Sequence, residues 1–328
     1  MSQIEFRQPP CSPRLAWLLA PLAALACGAR NVQAEPAAAV ADPPAAEAGA
    51  LPASGELGEQ WVRLVKDKRK KPVAMETAIV RYVTPEDFEE GKDANEYDRY
   101  VDLVGAVHIA DKSYYAELNR RFRKYDAVLY ELVAAAGTKV PKGRGTSNSH
   151  PLGALQNSLK SMLEVEHQLE QIDYTRGNMI HADLSPDEFL KSMADRDEGF
   201  MKMYFRLVGA SMAQQSQAAA DGENPEADLM AALFSKDRPR QFKIAMAKQF
   251  ESMETLMNGL SGPDGSTIIT ERNKRALDVL EDELEAGKMT LAIFYGAWHL
   301  AEMHDQVAER FGLRPVSVDW LEAWDLRE

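Results

Sequence analysis

The sequence predicts an α/β fold: a mixed, largely parallel sheet flanked by helices, with a helical insertion in the middle of the chain. Three observations predict it. Residues 100–133 read strand, helix, strand, the spacing of a βαβ unit with parallel strands. Residues 270–320 repeat the alternation of amphipathic helix and apolar run. Between these two parts, from about 185 to 262, the pattern is helical and rich in Met.

The elements follow in order. Arg7 and Arg14 precede the apolar run 15–26, and Val32-Gln33-Ala34 places small residues where a secretory signal is cleaved. The run is short of the roughly 20 apolar residues that span a bilayer. Residues 1–34 are therefore expected to be a signal peptide, and the protein to be exported to the periplasm or cell envelope. Cys27 follows Ala24-Leu25-Ala26 and precedes Gly28, a loose match to a lipoprotein site; lipidation there would tie the chain to a membrane. Cys11 and Cys27 are the two cysteines, so the region after the leader is expected to hold no disulfide. Residues 35–56, rich in Ala, Pro, Glu and Gly, bury too little apolar surface to offset ordering and read as a flexible tether.

A domain spanning 57–328 then begins. Trp61, Leu64 and Val65 have helical spacing, and the basic run 66–71 reads as a solvated end. Residues 73–83 and 100–107 read as strands, with an acidic turn region, 84–98, between them. Tyr114, Leu118 and Phe122 recur every four residues and mark a helix over 111–125. Residues 127–132 form a short apolar strand ending near Glu131. Residues 137–149 read as a loop over one edge, and 152–169 as a helix. Ser185-Pro186-Asp187-Glu188 signals a helix start, with Ser185 as N-cap and Glu188 completing a capping box. The Met residues after it, from Met193 to Met257, either line a groove for an apolar ligand or, the expected reading, pack a core, and 219–227 is expected to break the helices. Leu277, Leu280 and Leu284 share one helical face over 270–286, with Gly287 as the stop. A strand over 289–295, a helix to about 311 and a strand near 314–320 complete the domain.

The net charge is −13; the first 34 residues carry +2, so the remainder carries −15. Such an acidic body repels phosphate backbones and shows no basic stripe with interleaved aromatics, which excludes nucleic acid as a partner.

Two motifs of the same form carry the chemistry: Gly105-Ala106-Val107-His108 and Gly296-Ala297-Trp298-His299. Each places Gly-x-x-His at the C-terminal end of an apolar strand, the edge where open α/β sheets bind ligands. Glu131 ends the strand after the first motif, on the same expected edge. Two imidazoles and a carboxylate suit a divalent metal such as Mn, Co or Zn, with positions left for water and substrate. The alternative is structural: each His caps a helix or satisfies a buried backbone group. Arg272 could bind a substrate carboxylate or oxyanion, or form a helix-surface ion pair with Glu271 or Asp278. Asn273 is either a donor behind the site or a polar helix residue. His181 and Asp183 are further candidates, to ligate or orient, with Asp183 equally able to cap the helix that follows. His150, His167 and His304 are expected to face solvent.

These residues resemble the TraB/GumN family. The resemblance rests on Val104-Gly105-Ala106-Val107-His108, Tyr114-Tyr115, Tyr125-Asp126-Ala127-Val128 and Glu131-Leu132 in the first half. In the closing half it rests on Glu271-Arg272-Asn273 and Gly296-Ala297-Trp298-His299-Leu300. Paired Gly-x-x-His motifs are also the mark of the related TIKI-type metal-dependent proteases. The resemblance covers roughly residues 73–320 and implies a site formed by His108, Glu131 and His299, with Arg272 and Asn273 beside it. Trp298 departs from the family, standing where a small residue is common, and is expected to narrow the site. The activity implied is a metal-dependent hydrolase, a peptidase acting on peptide or protein. Two alternatives stand beside it: hydrolysis by the same His and carboxylate without a metal, as in erythromycin-esterase-like proteins, and peptide binding without catalysis, with the Met-rich helical middle as the groove.

Overall fold

The computed structural model describes residues 57–58, 60–135, 137–138, 140–141, 165–198, 225–261 and 265–328. The expected leader, the tether, most of the 137–149 loop and of the 152–169 helix, His150, and the first part of the 219–227 break lie outside the described residues.

The fold is α/β, with a mixed, largely parallel seven-stranded sheet flanked by helices. It opens on a hairpin of β1 (Val62–Lys66) and β2 (Pro72–Val83). The helix expected around Trp61 is instead this strand. Val62 and Leu64 are buried while Arg63 and Val65 are half-buried, a period of two. The turn between the strands is held by Asp67, whose Oδ1 accepts the N–H groups of Arg69 and Lys71, both at 2.8 Å.

β3 (Tyr100–Ala106), β4 (Ile109–Ala110), α1 (Lys112–Phe122) and β5 (Ala127–Tyr130) follow. Tyr114, Tyr115, Leu118 and Phe122 form the buried face of α1, and all four residues of β5 are buried, as a strand covered on both faces requires. The short β6 (Glu166–His167) pairs with β4 and leads into the one-turn α2 (Gln168–Gln171), and β7 (Met179–His181) adds the last strand before the insertion.

The insertion is helical where it is described: α3 (Pro186–Asp195), α4 (Pro225–Leu233) and α5 (Arg238–Ser261). Ser185 caps α3 with the expected capping box. α4 begins at Pro225, so residues 225–227 of the expected break are helical. Met246 packs against the core as expected, whereas Met230 is exposed. A wide turn of π geometry, Thr267–Glu271, runs into α6 (Arg272–Glu285), followed by β8 (Thr290–Gly296), a tight turn over Ala297–His299, α7 (Leu300–Phe311) and β9 (Arg314–Asp325). Gly287 and Gly312 stop α6 and α7 with φ of 84° and 66°, the left-handed conformation that glycine adopts without strain.

The sheet divides in two. β2 pairs antiparallel with β1, β3 and β9, whereas β3–β8, β8–β5 and β5–β7 are parallel. β3 and β5 are therefore parallel as expected for a βαβ unit but not adjacent, because β8 from the far end of the chain lies between them. α6 packs on β5, α7 on β3, α1 on β9 and α5 on β1. This layout brings the C-terminal ends of four parallel strands side by side in the order β3, β8, β5, β7.

Candidate functional site

The register of those four strands assembles the site. Ala106 of β3 pairs with Gly296 of β8, Tyr130 of β5 with Phe294 of β8, and His181 of β7 with Tyr130. The residues just beyond these paired ends are His108, His299, Glu131 and Asp183. Four segments distant in sequence thus deliver one imidazole or carboxylate each to a single sheet edge. The fifth contribution is the first turn of α6, where Arg272 and Asn273 are both buried. A π-type turn leads into them, a feature that recurs at functional sites.

Arg272 is the hub. Its Nε and Nη2 donate to the two oxygens of Asp183, at 2.9 and 2.6 Å, in a bidentate pair. Nη2 also donates to Oε1 of Glu131 at 2.7 Å. The Asp183 side chain is 0 % exposed and that of Arg272 10 %, so this is a desolvated cluster of one cation and two carboxylates. Among the described residues, Nη1 is the guanidinium nitrogen that bonds no carboxylate; its hydrogen-bond contact there is the long 3.4 Å approach to His299 Nε2. Neither Glu271 nor Asp278 is the partner of Arg272. Glu271 pairs with Arg196 and Asp278 with Arg310.

Glu131 accepts from Arg272 on one oxygen and from the Gly296 N–H, at 2.7 Å, on the other. That second bond explains a glycine in the second motif, because a Cβ on residue 296 would stand 3.2 Å from Glu131 Oε2. Burial alone would raise the Glu131 carboxyl. The neighbouring charge of Arg272, with His299, His108 and the Gly296 N–H, holds it well below the usual carboxylate range, so it is an anion.

Asn273 fixes His299. Its Nδ2 donates to the His299 carbonyl at 3.1 Å, which orients the amide, so its Oδ1 must accept from the ring at 2.7 Å. The proton of a neutral ring therefore sits on Nδ1, and Nε2 carries a lone pair facing Arg272 and Glu131, the latter at 3.7 Å. Burial pushes His299 down from its ordinary 6.5 to about 4, with Glu131 opposing and Arg272 and His108 assisting, so the ring is neutral at pH 7. Tyr295 packs edge-on to it at 5.2 Å and donates its hydroxyl to the Ala182 carbonyl at 2.5 Å.

The sequence-predicted residues separate into three groups. Glu131, Asp183, Arg272, Asn273 and His299 form one hydrogen-bonded cluster. His108 is exposed and lies near enough to act electrostatically on Glu131 and His299. His181 takes another role: its Nε2 bonds the Leu132 carbonyl at 2.6 Å and buttresses the segment after β5. Asp183 anchors Arg272 and does not cap α3, a task Ser185 performs. Trp298 stacks on Phe250 of α5 at 5.5 Å. His304 is half-buried, not solvent-facing, with its Nδ1 2.7 Å from the Tyr82 hydroxyl, and His167 is half-buried as well. Tyr295 and the Gly296 N–H are site members that the sequence reading left out, although both lie within four residues of His299.

The donor set can be tested against a divalent ion. The lone pair of His299 Nε2 and Oε1 of Glu131 both face the Arg272 guanidinium, so a cation already lies where the metal would have to bind. Among the described residues no group of three or more His, Cys, Asp or Glu is arranged to hold a metal ion, and His108, Glu131 and His299 do not make one. As placed, these side chains do not fit the metal. Comparisons with family models, curated proteins and solved structures find no match to the chain. The likeness to TraB/GumN proteins therefore rests on the motifs quoted above.

Proposed function

We propose that the protein is a hydrolase of amide or ester bonds that activates water with His299 and Glu131 and works without a metal. The observation that carries this reading is the Asn273-fixed, neutral His299, whose Nε2 lone pair opens onto a buried carboxylate and a guanidinium. A water at Nε2 loses its proton to the ring as its oxygen attacks the substrate carbonyl carbon. Glu131, 3.7 Å from Nε2, stabilises the imidazolium that results. Arg272 Nη1, the guanidinium nitrogen without a carboxylate, donates to the oxyanion of the tetrahedral intermediate. The Nε2 proton then passes to the leaving amine or alkoxide as the bond to it breaks. Asp183 keeps the guanidinium in place throughout, a positioning role.

The resemblance to TraB/GumN and TIKI-type proteins supports a peptide substrate in the cell envelope, with a signal peptide or lipidated Cys27 providing export. The test is turnover by the full chain of a quenched-fluorescence peptide library and p-nitrophenyl acetate, beside His299→Ala. Turnover falling by roughly 10²–10⁴-fold in the variant is expected for loss of the proton-transfer group. Equal turnover in both proteins would refute the assignment.

A further inference from the structure

The basic run 66–71 lies at the tip of the β1–β2 hairpin, and all six of its residues are exposed. It carries +4, so the rest of the chain after residue 34 carries −19. The turn is closed by two backbone bonds. The Asp67 N–H donates to the Lys71 carbonyl at 2.8 Å and the Lys70 N–H to the Asp67 carbonyl at 2.9 Å, with Lys70 at φ 61°. Asp67, the one acid of the run, uses Oδ1 to accept the N–H groups of Arg69 and Lys71. Lys71 pairs with Glu328, which also faces Arg240. Among the described residues no carboxylate bonds the side chains of Lys68, Arg69 or Lys70. A held turn thus presents three uncompensated cations on an acidic body.

The register sets this tip beyond the site edge. β1 and β3 both run antiparallel to β2, so the tip lies at the same end as the C-terminus of β3. Continuing the pairing of Ile79 with Val104 brings Ala106, the last residue of β3, level with Thr77. From Thr77 to Pro72 the hairpin runs on for a further five residues, about 17 Å. Helix α5 gives a second ruler. Phe250 stacks on Trp298, beside His299, and meets Trp324 of β9 at 5.6 Å. Ten residues earlier, about 15 Å along the helix, Arg240 donates to the Leu326 carbonyl at 2.6 Å and faces Glu328, the partner of Lys71. Both place the tip roughly 15–20 Å from His299, the reach of about five extended residues. At about two Debye lengths, an anion on the tip is screened from Glu131 and Asp183. We propose that the tip is a substrate-recognition element that takes a short acidic stretch of peptide about five residues from the scissile bond. The inference rests on the hydrolase reading for the bond that is cleaved. A long polyanion or a flat anionic surface would also meet the acidic body. Among the described residues, no large exposed apolar side chain lies on the tip to enter a bilayer.

The test is cleavage by the full chain of a quenched-fluorescence library of random peptides ended, at either terminus, by three Glu or by three Gln. Wild type is expected to cleave the Glu set with KM about tenfold lower and kcat unchanged, the joint worth of three exposed ion pairs. High salt should remove that preference. The neutral tip, Lys68→Gln with Arg69→Gln and Lys70→Asn, keeps Asp67 and therefore the turn. Its turnover of the Gln set should equal that of wild type, and its preference should vanish. The reversed tip, Lys68→Glu with Arg69→Glu and Lys70→Asp, should prefer peptides ended by three Lys. No preference in wild type, a preference that survives in the neutral tip, or a reversed tip that still favours Glu would each overturn the proposal. So would tip-dependent binding to phosphatidylglycerol vesicles without a peptide preference. If no peptide is cleaved the hydrolase reading falls, and the tip is decided by fluorescence anisotropy with labelled hexaglutamate. Binding about tenfold tighter to wild type than to the neutral tip supports it; equal or absent binding overturns it.

Discussion

Arg272→Leu is expected to lower the free energy of unfolding by about 3–5 kcal/mol, the usual cost of leaving a buried charge without its partner. Among the described residues the guanidinium is the one cation bonded to both Asp183 and Glu131, and the Asp183 side chain is wholly buried. Removing it leaves two desolvated carboxylates facing each other. A leucine fills part of the volume but offers no donor to the three carboxylate oxygens that Arg272 bonds. The pair Arg272→Leu with Asp183→Leu should recover part of the loss, because it removes cation and carboxylate together. Urea unfolding of the three proteins checks this. A loss under about 1 kcal/mol in the single variant, the level of an exposed pair, would show that the cluster is not desolvated as described.

The second large effect is on stability against pH. In the folded chain burial pushes His299 down to about 4, from an ordinary 6.5 that the unfolded chain retains. Between those values the unfolded state binds a proton that the folded state does not. The His299 contribution is therefore complete above pH 6.5 and is lost as pH falls towards 4. It amounts to on the order of 3 kcal/mol. Glu131 acts in the same direction at lower pH. Its folded carboxyl is depressed, so its contribution is present above the unfolded value and disappears as pH falls through the range below it. Arg272 stays charged throughout. Acidification should thus weaken the fold in two stages, and His299→Gln should remove the first. Unfolding free energies of wild type and variant at pH 7.5, 6, 5 and 4.5 isolate the term by difference, since other titrating groups cancel. A wild-type-minus-variant difference that does not change with pH would contradict a neutral, buried His299.

Much of the site was legible because its chemistry lies at strand ends. Gly-x-x-His after an apolar run twice over, with Glu131 ending a third run, locates one sheet edge without knowledge of strand order. The order itself was not legible. Local pattern cannot tell that β8 pairs with both β3 and β5, because that pairing joins segments over 150 residues apart. β7 was missed for the opposite reason: three residues give too short a pattern, and His181 was singled out only as a candidate to ligate or orient. Trp61, Leu64 and Val65 fit a helical template as well as a strand, and hairpin pairing with β2 decided for the strand. The role of Arg272 depended on Asp183, 89 residues earlier in the chain. Its near neighbours Glu271 and Asp278 were the partners that sequence alone suggested.

The most direct measurement is hydrolysis by the full chain after exhaustive chelation, with His299→Ala as reference. Turnover by the chelated wild type equal to that of untreated protein, and lost in His299→Ala, is the expected result. Activity abolished by chelation and restored by Mn, Co or Zn would contradict a site in which the Arg272 guanidinium takes the place of the metal.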